Sequence, residues 1–205
     1  VATLAVAPTA THLGPSAFGP APAACAAVRG AASLDLWPTQ KLQARLAALR
    51  PRASPGASIP GSLPPNPAVL LLPGSMRPVT LAHLAAVERG RAVLDASGYT
   101  VVGAWLLPEA DSCARGDASG AGVAPNLAVH AARLAVAGHS DIECSPWLAS
   151  QIVPPTLAET IVAFQVALCA AIPELRGSMT VFVICDSRSA SVACASVRLA
   201  DRQGV

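Results

Sequence analysis

The sequence predicts a doubly wound α/β fold, built on a parallel sheet and preceded by an extended N-terminal arm. Two observations predict it. Short apolar runs of strand length at 68–72, 100–107 and 179–185 alternate with helix-period segments at 80–97, 126–137 and 156–171. The first strand, helix and second strand also fall within about 40 residues, a βαβ unit whose strands run parallel and whose crossover is right-handed.

Residues 1–33 are rich in Ala, Pro and Gly and have no hydrophobic period. They read as an extended arm that docks on a surface or stays disordered. From Pro38 to Leu49, Leu42, Leu46 and Leu49 recur at helical spacing with Lys41, Arg45 and Arg50 between them, which predicts one short amphipathic helix. A Pro/Gly/Ser-rich linker follows to Pro67, so the arm with its helix is expected over 1–65 and the α/β domain over 66–205.

Ala68 to Leu72 is a continuous apolar run closed by Pro73-Gly74, the form of a strand buried on both faces. Thr80 to Ser97 then predicts a helix with Leu81, Leu84, Ala85, Val87 and Leu94 toward the core, stopped by Gly98. Thr100 to Leu107 is the second strand. Pro108 to Pro125 reads as a long loop over the carboxyl ends of the strands, where ligands of open α/β sheets sit. Asn126 to Ala137 is the next helix, Asp141 to Cys144 a short strand, Thr156 to Ala171 a helix and Met179 to Cys185 a further strand, completing a Rossmann-like order. Beyond Cys185 the pattern fades.

Composition restricts the function. Hydrophobic residues make up 53% and charged residues 13%, roughly half the usual charged share, so protein partners are expected to cover apolar surface and the arm. A net charge of +2 with dispersed basic residues argues against nucleic acid, which demands a dense basic stripe. The longest apolar stretch, Ile161 to Ile172, is interrupted by Gln165 and is too short for a membrane span. The six cysteines form no CxxC pair and have no histidine at ligand spacing, so reduced thiols are expected rather than a zinc site. No acidic residue precedes Asp35, which suits the remnant of a transit peptide and an organellar location, mitochondrion or plastid, with cytoplasm and nucleus as alternatives.

The chemistry is carried by the turn Gly74-Ser75-Met76-Arg77-Pro78-Val79-Thr80-Leu81-Ala82-His83. Gly74 lets the backbone approach a phosphate closely. The helix beginning at Thr80 aims unpaired N–H groups and its positive dipole end at the same place. His83 lies one turn on, on the face shared with Thr80, so both side chains are placed to reach one anion.

This block resembles the signature G-S-F-x-P-x-T-x-x-H of the nucleotidyltransferase superfamily, with Met76 in place of Phe. The nicotinamide or nicotinate mononucleotide adenylyltransferases are the most similar members. The similarity runs from Pro67 to about Gln151, through Gly98-Tyr99-Thr100-Val101-Val102-Gly103-Ala104-Trp105-Leu106-Leu107-Pro108 and Pro146-Trp147-Leu148-Ala149-Ser150-Gln151. It implies the nucleotidyltransferase fold and attack by the phosphate of nicotinamide mononucleotide (NMN) on the α-phosphorus of ATP. Pyrophosphate leaves, and Mg2+ is held by the ATP phosphates. By the same resemblance, Thr80 and His83 are catalytic contacts to the ATP phosphates. Gly74, Ser75 and Met76 belong to the nucleotide-binding turn, and Trp147 stacks a base.

The chain also departs from the family. Glu109, Asp111, Arg115 and Asp117 occupy a loop that is basic in its members, Ala128 stands where they carry Arg, and Leu148 replaces a Glu. Asp186-Ser187-Arg188 falls on their G-x-D motif, and Ala193 to Arg198 is faintly similar to their I-S-S-T-x-x-R block. Three readings therefore stand: a divergent adenylyltransferase, a pseudoenzyme kept as a subunit of a larger assembly, and a nucleotide-binding regulator.

Overall fold

The computed structural model describes residues 35–50, 63–109, 125–185 and 197–198. Residues 1–34, 51–62, 110–124, 186–196 and 199–205 lie outside the described residues, and with them the expectations for the arm, most of the linker, the substrate loop and the last two blocks. The elements are α1 (Gln40–Leu49), β1 (Pro67–Gly74), α2 (Leu81–Ala96), β2 (Thr100–Pro108), α3 (Pro125–Ala135), β3 (Ile142–Cys144), α4 (Leu157–Ala171), β4 (Thr180–Val183) and β5 (Val197–Arg198). Single turns of 3₁₀-helix at Leu148–Ser150 and Pro173–Leu175 flank α4.

The sheet order is β3-β2-β1-β4-β5. The first four strands are parallel, and the two-residue β5 pairs antiparallel with β4 at the edge. Side chains of β1 alternate as a pleated strand requires. Val69 and Leu71 join a core with α1 and α4, while Ala68, Leu70 and Leu72 join a second core with α2 and α3. Both faces are therefore covered, which explains why β1 and β2 read as unbroken apolar runs.

Helix α1 belongs to this same core. Leu42 and Leu46 are buried, and each contributes about 1.5–3 kcal/mol by leaving water. The Lys41 ammonium donates to the carbonyls of Val136 (2.6 Å), just past α3, and Ile142 (2.8 Å), and the Lys41 backbone N–H donates to the buried Glu143 carboxylate at 2.9 Å. Glu143 thus sits at the N-terminus of α1, where the dipole favours a negative charge. Ahead of the helix, Trp37 is buried against Trp147 and Phe164, and the Trp105 indole N–H donates to the Pro38 carbonyl at 2.9 Å. The segment 35–49 is thus packed against the sheet rather than attached as a tail.

Two inward-facing expectations for α2 are corrected. Leu81 is 84% exposed and Ala85 is also exposed, whereas Val87, Gly90 and Leu94 form the buried line. The first turn of α2 is presented to solvent, so burial begins only a turn further on. Gly90 is buried, and a Cβ there would meet the end of the Ile184 side chain at 3.1 Å, a close contact that Ile184 would have to relieve.

The register between β1 and β2 slips by one residue. Ala68 pairs with Val101 but Val69 pairs with Gly103, so Val102 is the extra residue of a bulge. Val102 faces the α1/α4 core, and a Cβ on Gly103 would point into it too, 3.2 Å from the Trp105 ring and 3.5 Å from Leu42. Trp105 is held by its hydrogen bond and by Phe164, so it cannot yield. Gly103→Ala is expected to destabilise the protein by about 1–3 kcal/mol through overpacking, read as a lower urea midpoint.

Candidate functional site

The topology contains a switch point. Helices α2 and α3, which link β1 to β2 and β2 to β3, pack on one face, and α4 crosses the opposite face to return the chain to the far side of β1 as β4. The winding direction therefore reverses between β1 and β4. In open α/β sheets the crevice at the carboxyl ends of two such strands is the binding position. The turn from Gly74 to Thr80 leaves β1 at that point.

Gly74 closes β1, and its carbonyl accepts the Glu109 N–H at 2.9 Å, tying the exits of β1 and β2 together. A Cβ built on Gly74 would meet nothing within 4 Å among the described residues, and its φ lies outside the left-handed region. Glycine at this position is therefore not dictated by the described fold. Ser75 next to it is exposed. Met76 adopts φ 45° and is fully buried in the α2/α3 core, so its side chain anchors the turn and does not face a ligand. Arg77 donates to the Glu109 carbonyl at 3.2 Å, a second tie between the two strand exits.

Thr80 is the N-cap of α2, and His83 is the third helical residue. The Thr80 backbone N–H donates to His83 Nδ1 at 3.0 Å, and Thr80 Oγ1 lies 2.9 Å from the same nitrogen. A backbone N–H can only donate, so Nδ1 carries the lone pair and the neutral ring holds its proton on Nε2. The imidazole is oriented by the cap and presents an N–H at the positive end of a 16-residue helix whose first turn holds no acidic side chain. The sequence places Thr80 and His83 on one face, and the structure brings them into direct contact.

The other predicted site residue is placed differently. Trp147 is 6% exposed in the α1/α4 core and stacks on Trp37 with ring centroids 5.4 Å apart. Its backbone N–H donates to Ser145 Oγ, which in turn donates to the Leu36 carbonyl. Trp147 therefore lies on the opposite sheet face from the core that Met76 anchors. Sequence reasoning missed Trp37, whose only local signal is a lone aromatic between Leu36 and Pro38.

The surrounding polar groups do not form a second centre. Ala128 is 2% exposed. His130 is exposed on α3 and His139 is half-buried. Burial pushes the Cys144 thiol up to about 12, which keeps it protonated. Among the described residues no group of three or more His, Cys, Asp or Glu could hold a metal ion, and no helix is long and apolar enough to cross a membrane. Compared with known proteins, the sequence matches no family model and no curated sequence.

Proposed function

We propose that this chain is a divergent nucleotidyltransferase that binds the triphosphate of ATP at the turn between β1 and α2 and transfers the adenylyl group to a mononucleotide such as NMN. The observation that carries the reading is the residue closing the cap of α2. Helix α4 closes its own cap with Glu159, whose carboxylate accepts from the Thr156 N–H at 2.7 Å, the usual Thr-x-x-Glu box. Helix α2 repeats the geometry with an imidazole. As a cap, His83 offers nothing that Glu lacks, but it adds a donor where Glu would add a negative charge. Beside an open glycine, at a helix N-terminus and at the switch point of the sheet, that exchange suits an anion.

In the reaction, an oxygen of the mononucleotide phosphate attacks the α-phosphorus of ATP, the bond to the bridging oxygen of the β-phosphate breaks, and pyrophosphate leaves. The protein supplies positioning and charge stabilisation and forms no covalent intermediate. The Gly74-Ser75 backbone and the N-terminus of α2 would hold the phosphates, while His83 Nε2–H would donate to an oxygen that gains charge as pyrophosphate departs. Magnesium would arrive on the triphosphate and neutralise its charge. The described residues provide no carboxylate cluster for it, so no protein ligand is assigned.

NAD formation from ATP, magnesium and NMN tests the reading with His83→Glu. That variant completes a Thr-x-x-Glu box, so its melting temperature should equal or exceed the wild type's. Its rate should fall by about 10²–10³, the usual cost of losing one transition-state donor. A wild-type rate in His83→Glu would sink the assignment.

A second reading, a pseudoenzyme retained as a subunit of a larger assembly, is favoured by the buried Ala128 and by the stacking of Trp147 on Trp37. A wild-type chain that neither shifts its melting temperature with ATP nor forms NAD would support it. Saturable ATP binding without product would instead support the nucleotide-binding regulator.

A further inference from the structure

Helices α2 and α4 close their N-termini with boxes of the same spacing, Thr80 with His83 and Thr156 with Glu159. The two caps are equivalent at alkaline pH and part company when a proton arrives. The Thr156 N–H and hydroxyl both donate to Glu159 Oε2, at 2.7 and 2.9 Å. Those bonds, the backbone one first, hold the Glu159 carboxyl below the usual carboxylate range, so it stays charged in mild acid and the α4 cap stays closed. Nδ1 of His83 has a single lone pair, and the Thr80 N–H already occupies it at 3.0 Å.

A second proton on the imidazole goes to that same lone pair, because Nε2 is the nitrogen already protonated. Nδ1–H can then only donate. Thr80 Oγ1, 2.9 Å away, is able to accept it, but the Thr80 N–H is itself a donor and is left facing a donor. The first turn of α2 holds no acidic side chain that could take over, and the nearest carboxylate on the helix, Glu88, is exposed and pairs with Arg91 at 3.6 Å. The charged residues at the neighbouring strand exits are Arg77 in the turn after β1 and Glu109 after β2, which are tied to each other through the Glu109 carbonyl. Thr80 is exposed and His83 half-buried, so the ring has a route to solvent.

We propose that the N-cap of α2 is a proton-sensitive latch: neutral His83 holds the Thr80 N–H, and protonated His83 releases it at the mouth of the turn between β1 and α2, while α4 stays capped. The bond is therefore present at alkaline pH and lost as the pH falls. This follows from the cap geometry alone and does not depend on ATP binding at the turn.

Nuclear magnetic resonance of the ¹⁵N-labelled full chain without ligand, titrated from about pH 8 to about pH 5, tests this. At the alkaline end His83 Nδ1 should show the shift of an unprotonated ring nitrogen and Nε2 that of a protonated one. On acidification Nδ1 should move to the protonated range, and the Thr80 amide should follow the same curve. Its protection from hydrogen exchange, taken relative to the intrinsic rate at each pH, should fall about 2- to 10-fold, the worth of one neutral hydrogen bond. The Thr156 amide, capped by Glu159, should hold its protection across the range and serves as the control within the same molecule. In His83→Glu the Thr80 amide should behave as Thr156 does. A proton on Nδ1 already at pH 8, a Thr80 amide that ignores the His83 titration, or a Thr80 response that persists in His83→Glu would each overturn the latch, whatever the outcome for adenylyl transfer.

Discussion

Gly74→Ala is expected to leave the protein folded and to lower its affinity for magnesium–ATP about tenfold or more, a loss of about 1.4 kcal/mol or more. The two halves of this expectation have separate physical causes. No described atom lies within 4 Å of the added methyl and the backbone is not left-handed, so the folded state accepts alanine without strain. Losing a glycine also restricts the unfolded chain, which favours folding by about 0.4–1 kcal/mol. The methyl does occupy the open space at the mouth of β1, where a phosphate would have to touch backbone. Calorimetric titration with magnesium–ATP, alongside a melting curve, reads both. Unchanged affinity would mean that ATP does not approach Gly74, whatever His83 does.

Trp37→Ala should have the largest effect on stability, a loss of about 3–5 kcal/mol read from urea unfolding. The indole is 1% exposed, stacked on Trp147 and edge-on to Phe164 at 5.3 Å. Its removal opens a cavity between α1 and α4, and the flanking Leu36 and Pro38 carbonyls that receive Ser145 and Trp105 would loosen with it. Total stabilities of single domains are about 5–15 kcal/mol, so such a loss is a large share. The Trp37 indole N–H is buried with no hydrogen-bond partner among the described residues, so the side chain acts by packing. Trp37→Phe should therefore recover part of the loss. A Trp37→Ala midpoint indistinguishable from wild type would show that α1 and its lead-in are not needed to hold the sheet together.

Much of this was legible in the sequence where the signal is local. The apolar runs of β1 and β2 stand out because those strands are buried on both faces, and Thr80 and Thr156 mark the starts of α2 and α4 because capping depends on residues three apart. The Gly74 to His83 turn was legible for the same reason. Leu81 faces solvent although the helical period places it inward, because period alone does not say where a helix begins to be covered by the sheet. The bulge at Val102 and Gly103 left no local mark, since it is a slip of register against β1, a strand some thirty residues away. The role of Trp37 and the Glu143 contact to α1 are set by partners distant in sequence, which no short window contains. Trp147 stood out as an aromatic in a familiar block, but its stacking partner lies in the segment that composition alone reads as a tail.

The chain's three tryptophans, Trp37, Trp105 and Trp147, all lie in the α1/α4 core, while its single tyrosine, Tyr99, packs edge-on to Phe182 against the other. The two faces of the sheet are therefore optically distinct without any label. Indole emission, and the exciton coupling of the Trp37–Trp147 pair, report whether the segment 35–50 is seated, whereas tyrosine reports the α2/α3 face. Loosening of one layer before the other would appear as two separate transitions in a single unfolding experiment.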